Sequence, residues 1–551
     1  MRHPTRLAIL LFALTMSPLA RHAAAQLREM PEAMVEALVR DLSDLDAETR
    51  RLAALRLKNL PGTGYAALER VAKREELAPE AKPVVDKALP IVRARSRRVK
   101  ALYDNWQENL RTGLDAYDKF GKKNPAWDDT VRQAITLFTK PDPELAPGET
   151  HVALIGMFKK AIDAGCDDPF VAYLYARSLR LHGNGDPQEA QRLLFESARV
   201  LEQSSYPPDR KLYAAVRYLL DARQPDRLML DICRKHLEAT FAERNRPNDH
   251  YREVADLVFQ AFQLEGDRKM AFDAVFPIYQ KARPANDPNP AGFKGSFYVD
   301  YAWDARGGGW AGSVTDEGWK LFAERLQAAD QELTRSWELD PADPRAATRM
   351  IAVCLGQDSD RDREHMERWF RRAMEADPDN LQACRDKLYY LYPRWHGSHR
   401  EMISFARECL ATENWFGRIP FLVEDAHIAV SREMSDPKRY LARDAVGGDI
   451  KRAYDGFLDL YPDSNWHQTW RVRWACRCGK WQDADKLFQA LGDKADVRAF
   501  RGQAYFDYYR RKAAKKATEP PEVRQPRLGG PDDDPDAEEM DQVEIEGPIP
   551  Q

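Results

Sequence analysis

The 551-residue chain has no apolar run of 18 residues after its N-terminal stretch, so the body of the sequence offers no helix able to span a bilayer. Glycine is sparse, at 29 residues, which argues against an all-β protein or one organised around glycine-rich loops. An excess of one charge is missing too: 84 Lys and Arg against 88 Asp and Glu leave a net charge of −4. That balance removes the broad attraction that a dedicated nucleic-acid or acidic-membrane binder needs. Catalytic signatures are equally thin. There is no Gly-x-Ser-x-Gly elbow and no His-Glu-x-x-His zinc motif.

Cysteine is scarce and irregular. Cys166, Cys233, Cys354, Cys384, Cys409, Cys476 and Cys478 are odd in number and loosely spaced, unlike a disulfide framework. Cys476 and Cys478 are two apart, so on a helix they point to different faces and do not share a metal. The expectation is small buried thiols in helix packing. Cys354 with Cys384 is the pair to consider in an oxidising compartment.

What is present favours helix and export. Ala, Leu, Arg, Glu and Asp dominate. Arg2, His3 and Arg6 precede an apolar stretch from Leu7 to Met16, then Pro18 and an Ala23-Ala24-Ala25 cleavage pattern. Residues 1–25 therefore read as an export signal, placing the mature chain in the periplasm or outside the cell with no membrane span. Because the first cysteine is Cys166, lipid anchoring at a cysteine after the signal is not expected.

Residues 26–100 read as short amphipathic helices. Asp46 stands where it can cap a helix, Leu52, Leu55 and Leu60 follow at i, i+3 and i+8, and Pro61-Gly62 stops the run. The Leu42-Ser43-Asp44 start, the Arg50-Arg51 pair and the Ala53-Ala54-Leu55 run resemble a HEAT repeat. Residues 101–165 read as a helical connector.

From Asp168 the helices lengthen. In segment 166–290, Ala176 lies inside one helix, a turn follows at Gly183-Asn184-Gly185, and Ala190, Leu194 and Ala198 step by four along the next. Asp340-Pro341 and Asp377-Pro378 then echo each other 37 residues apart, and a further unit starts near Pro462 with Ala484 and Phe488 on its second helix. These features resemble tetratricopeptide repeats. Segment 291–511 carries Arg306-Gly307, Trp310, Trp319, Pro393, Trp395 and Gly397-Ser398, which look like signatures of an uncharacterised domain-of-unknown-function family of tetratricopeptide-like proteins. That resemblance implies helical repeats and points to no established activity. The expected fold is all-α: an α-solenoid of stacked antiparallel helix pairs, tetratricopeptide-like, with HEAT-like helices at the N-terminus. Residues 512–551, with nine acids between Asp532 and Glu546, are expected to be a disordered tail.

Each candidate chemistry has a plainer explanation. Gly307 to Gly312 matches G-x-G-x-x-G, but a dinucleotide site needs a strand before it and a parallel strand after it. The surroundings read as helices, so the glycines are expected to form a connector. Glu424-x-x-His427 is half of a di-metal motif, and His396 and His399 stand in a loop; all are expected to be unrelated surface histidines. Trp466, Trp470 and Trp474 share one helix face and are expected in the core.

Three other indoles sit beside polar turns. Trp303 and Trp310 flank Arg306, and Trp395 follows Arg394. Aromatics beside arginine suit recognition of a peptide or glycan, so Trp303, Arg306, Trp310, Arg394 and Trp395 are the expected partner-binding residues. No catalytic residue, cofactor or metal ligand is expected. The sequence thus points to an exported scaffold that binds a protein or peptide in the cell envelope, with no nucleic acid; no oligomeric state follows from it. The alternative is an envelope glycan binder or hydrolase using Asp304, Asp316 and Glu317 near those indoles.

Overall fold

A computed structural model describes residues 30–74, 77–139, 147–182, 186–243, 246–357 and 362–519. The expected export signal and the acidic stretch from Asp532 to Glu546 lie outside the described residues. Among those residues there are helices and no strand, and consecutive helices pack on one another, as in an α-solenoid.

Local chemistry explains where the helices begin. Asp186, Asp287 and Asp343 each precede a proline and accept a hydrogen bond from the backbone N–H two residues on, at 2.9, 3.0 and 2.9 Å. The aspartate satisfies an N–H that the helix leaves unbonded, and proline fits the first turn because its missing donor has no partner there. The Asp340 and Asp377 echo is a repeated corner. Asp340 N–H closes one helix on Ser336 and Asp377 N–H closes another on Ala373; Asp343 and Asn380 then cap the helices that follow.

The described residues divide into two compact units. The first comprises 30–35, 60–74 and 89–378. Its core runs from Tyr117 through Phe158, Leu194 and Tyr251 to Phe297, and Phe272 stacks on Phe276 and Phe297 with ring centres 4.7 and 3.8 Å away. The helices Pro288–Arg306 and Asp316–Leu339 approach closely at Gly295. A β-carbon there would lie 2.6 Å from Leu333 Cγ, so the missing side chain sets the spacing.

The second unit comprises 36–59, 77–88 and 379–519. Here the N-terminal helix Ala47–Lys58 leaves the neighbour-to-neighbour order of a solenoid. Arg51 reaches Asp459 at 2.6 Å, Asn59 Nδ2 donates to the Glu413 carbonyl at 2.9 Å, and Asn59 Oδ1 accepts from Phe416 N–H at 2.8 Å. The expected segment 26–100 is thus not a body of its own: residues 36–59 belong with the C-terminal helices. The 39-residue helix Lys82–Phe120 also runs through residue 100. At the other end, Gln503–Thr518 is helical past residue 512, because Phe506 packs on Phe488 and Phe500 and Ala513 is buried.

Candidate interaction sites

The glycine-rich segment after Arg306 joins two helices, with no strand on either side, so the dinucleotide match is a connector as expected. Gly307 ends the helix at φ 73°, a left-handed value that favours glycine, and its N–H bonds to Trp303 O at 2.9 Å. Arg306 then ties down the base of the loop. Its Nη1 donates to the carbonyls of Gly307 and Gly309 at 3.2 and 2.9 Å, while its guanidinium lies 5.7 Å from the Trp303 ring centre and 5.8 Å from that of Trp319.

At the far side, Ser313 Oγ and N–H both donate to Trp310 O, at 2.7 and 2.9 Å, and Thr315 caps the next helix by accepting from Gly318 N–H. Between these anchors the Trp310 side chain stands clear, 84% exposed. Trp303 is half-buried, edge-on to Phe322 at 5.0 Å. Of the nearby acids, Asp304 binds Arg268 at 2.7 Å, and Asp316 and Glu317 sit in the first turn of a helix, where its positive end favours carboxylates.

Arg394 and Trp395 lie in the second unit, in the turn between Leu381–Tyr390 and His399–Ala411, whereas Trp303 and Arg306 end the helix Pro288–Arg306 and Trp310 follows it, in the first unit. Arg394 is exposed over Tyr389 and Tyr392, at 5.3 and 4.9 Å. Trp395 is partly buried beside Tyr389, and His396 stacks on Tyr390 at 4.4 Å. His399 bonds to Glu433 at 2.7 Å. Among the described residues no group of three His, Cys, Asp or Glu side chains is placed to hold a metal ion.

His427 corrects the expectation of a surface histidine, for it and Glu424 are both buried. The helices Pro437–Leu441, Asp444–Leu460 and Asn465–Arg477 supply their neighbours, which a local motif does not reveal. His427 Nδ1 meets Tyr440 Oη at 2.9 Å and Nε2 meets Asp449 Oδ2 at 3.2 Å. Burial pushes the Asp449 carboxyl up, but hydrogen bonds from His427, Arg407 and Arg452 outweigh it and hold its pKa at about 2.

Glu424 is different. Tyr454 and Trp474 lie beside its carboxylate, yet neither oxygen completes a hydrogen bond among the described residues, and burial raises its pKa to about 7. Trp470 and Trp474 are core, as expected, while Trp466 is only half-buried and packs edge-on to Trp470.

One feature left no mark in the sequence. In the first unit a cleft of about 310 Å³ is lined by Thr112, Phe120, Asp209, Arg210, Glu243 and Arg246, among others. Its floor is an ion network: Arg246 reaches Asp209 at 2.9 Å and Glu108 at 3.3 Å, and Arg210 donates to Thr112 Oγ1 at 2.9 Å. Burial, and then the Asp209 charge, raise the Glu243 carboxyl. These residues come from three distant stretches, so no spacing signals them.

Residues 351–415 match the family described as a domain of unknown function (DUF4034). The match contains Arg394 and Trp395, and Trp310 and its loop precede it. The described residues are helical, and residues 351–415 are similar to an uncharacterised domain. No curated protein matches it.

Proposed function

We propose that the protein is an exported scaffold of tetratricopeptide-like helix pairs that binds a protein or peptide in the cell envelope and catalyses no reaction. Export rests on the charge, apolar core and cleavage pattern of residues 1–25. The observation that carries the binding reading is Trp310, 84% exposed on a loop whose ends are tied by Arg306 and Ser313. A large indole on a preordered backbone buries much area on binding with little ordering entropy, which is why tryptophan dominates interface hot spots.

The test is capture from envelope extract on immobilised mature chain and on Trp310→Ala. A discrete protein retained by the wild type and lost by the variant supports the reading. Identical capture by both, or none by either, contradicts it. Retention of glycan in place of protein favours the alternative, an envelope glycan binder, since an exposed indole also stacks on sugar rings.

A further inference from the structure

The acids at the cleft of the first unit are spoken for, and two of its cations are not. Arg111 binds Asp115 at 2.9 Å and Glu108 at 2.8 Å. Arg246 binds Asp209 at 2.9 Å and lies 3.5 Å from Glu243. These two arginines thus hold every carboxylate on the lining.

Lys119 and Arg210 line the same cleft. Lys119 is exposed and forms no ion pair among the described residues; its ammonium lies 5.1 Å from the centre of the Phe120 ring. Arg210 is 17% exposed, and Asp209 Oδ2 stands 3.6 Å from its Nε, too far for a hydrogen bond. Its Nη2 donates to Thr112 Oγ1 at 2.9 Å, and its guanidinium lies 5.5 Å from the centre of the Phe170 ring, contacts that hold it in one place. Arg210 Nη1 makes no hydrogen bond among the described residues.

We propose that this cleft binds a small carboxylic acid with an apolar body, its carboxylate against Arg210 and Lys119 and its body against Ala116, Phe120 and Pro207. A guanidinium already held in place loses little freedom on binding, and its hydrogen bond to a carboxylate is stronger than one between neutral groups. Charge selects a monoanion. Asp209 offsets part of the Arg210 charge, and a dianion would meet added repulsion from Asp115 and Glu243 on the same lining. Size selects a small molecule, because about 310 Å³ is at the low end of ligand pockets. None of these residues belongs to the Trp310 loop, so the inference stands apart from the scaffold reading.

The probe is para-fluorophenylacetate, followed by its fluorine NMR line width as the full chain is titrated in, in Tris buffer without phosphate. The expected result is saturable broadening that unlabelled phenylacetate competes away. Para-fluorophenylacetamide has the same shape without the charge and should bind about tenfold or more weakly. Raising NaCl from about 50 to about 500 mM should weaken the acid and leave the amide unchanged. Arg210→Gln should weaken the acid about tenfold or more, and Lys119→Gln about threefold.

If Arg210→Gln fails to fold, the exposed Lys119→Gln and the contrast between acid and amide still decide. Equal broadening of acid and amide, broadening of the acid unchanged in Lys119→Gln, or none with several millimolar acid overturns the proposal. An acetylated tetrapeptide ending in a free phenylalanine carboxylate should displace the probe no better than phenylacetate does. Displacement at lower concentration would reassign the cleft to chain ends and overturn the small-acid assignment.

Discussion

Arg246 Nη2 lies 2.9 Å from Asp209 Oδ2, and the two side chains are only 8% and 2% exposed. Removing Arg246 leaves Asp209 buried with only the Arg210 guanidinium, at 3.6 Å, to balance it. Arg246→Ala should therefore destabilise the first unit by about 2–4 kcal/mol, short of the cost of a wholly unpaired buried charge. Arg246→Lys should recover only part of this, because a single ammonium cannot serve Asp209 and Glu108 with a planar fork. Urea titration followed by circular dichroism tests both. Two transitions are expected from a two-unit chain, with only one of them shifted.

Glu424 should make the second unit less stable as the pH rises from about 4.5 to 7. Its folded pKa is about 7 against an ordinary 4.5. Below pH 4.5 both states are protonated and there is no penalty. Between 4.5 and 7 the unfolded carboxyl ionises and the buried one does not, so stability falls; above 7 the loss is complete, on the order of 3 kcal/mol. Buried His250 and His467, with pKa values lowered by burial to about 4, act with the opposite sign as pH drops below 6.5. Comparison with Glu424→Gln isolates the glutamate. The variant should match wild type near pH 4 and unfold at higher urea by pH 8.

Exposure separates the indoles. Trp310→Ala should leave stability within about 0.5 kcal/mol, since the side chain is mostly in water, whereas Trp369→Ala, at a site 2% exposed, should remove about 3–5 kcal/mol. Thermal unfolding of the two variants side by side checks the contrast.

Gly295→Ala should destabilise the first unit by about 1–3 kcal/mol through overpacking, because the new methyl meets Leu333. Leu333→Ala in the same chain should recover part of the loss, which a double-mutant cycle measures.

The readings that held are local ones. The Asp340-Pro341 and Asp377-Pro378 echo marks a repeated corner because helix end and turn are neighbours in sequence, and the step of four at Ala190, Leu194 and Ala198 puts all three on the buried side of one helix. The loop at Gly307 was legible because only glycine takes its φ cheaply, and Arg306 stood beside it. What failed to show depends on distant partners. Asn59 meets Phe416 across 357 positions, and Glu108, Asp209 and Arg246 converge from separate helices and loops. Glu424 and His427, three apart on a short helix, resemble any solvated face until the helices that cover them are in place.

The scaffold reading is tested most directly by a photoreactive amino acid in place of Trp310, irradiated in intact cells. A discrete protein adduct on the processed, mature-length chain in the envelope fraction is the result expected. No adduct from position 310, or one confined to unprocessed chain in the cytoplasm, would contradict it.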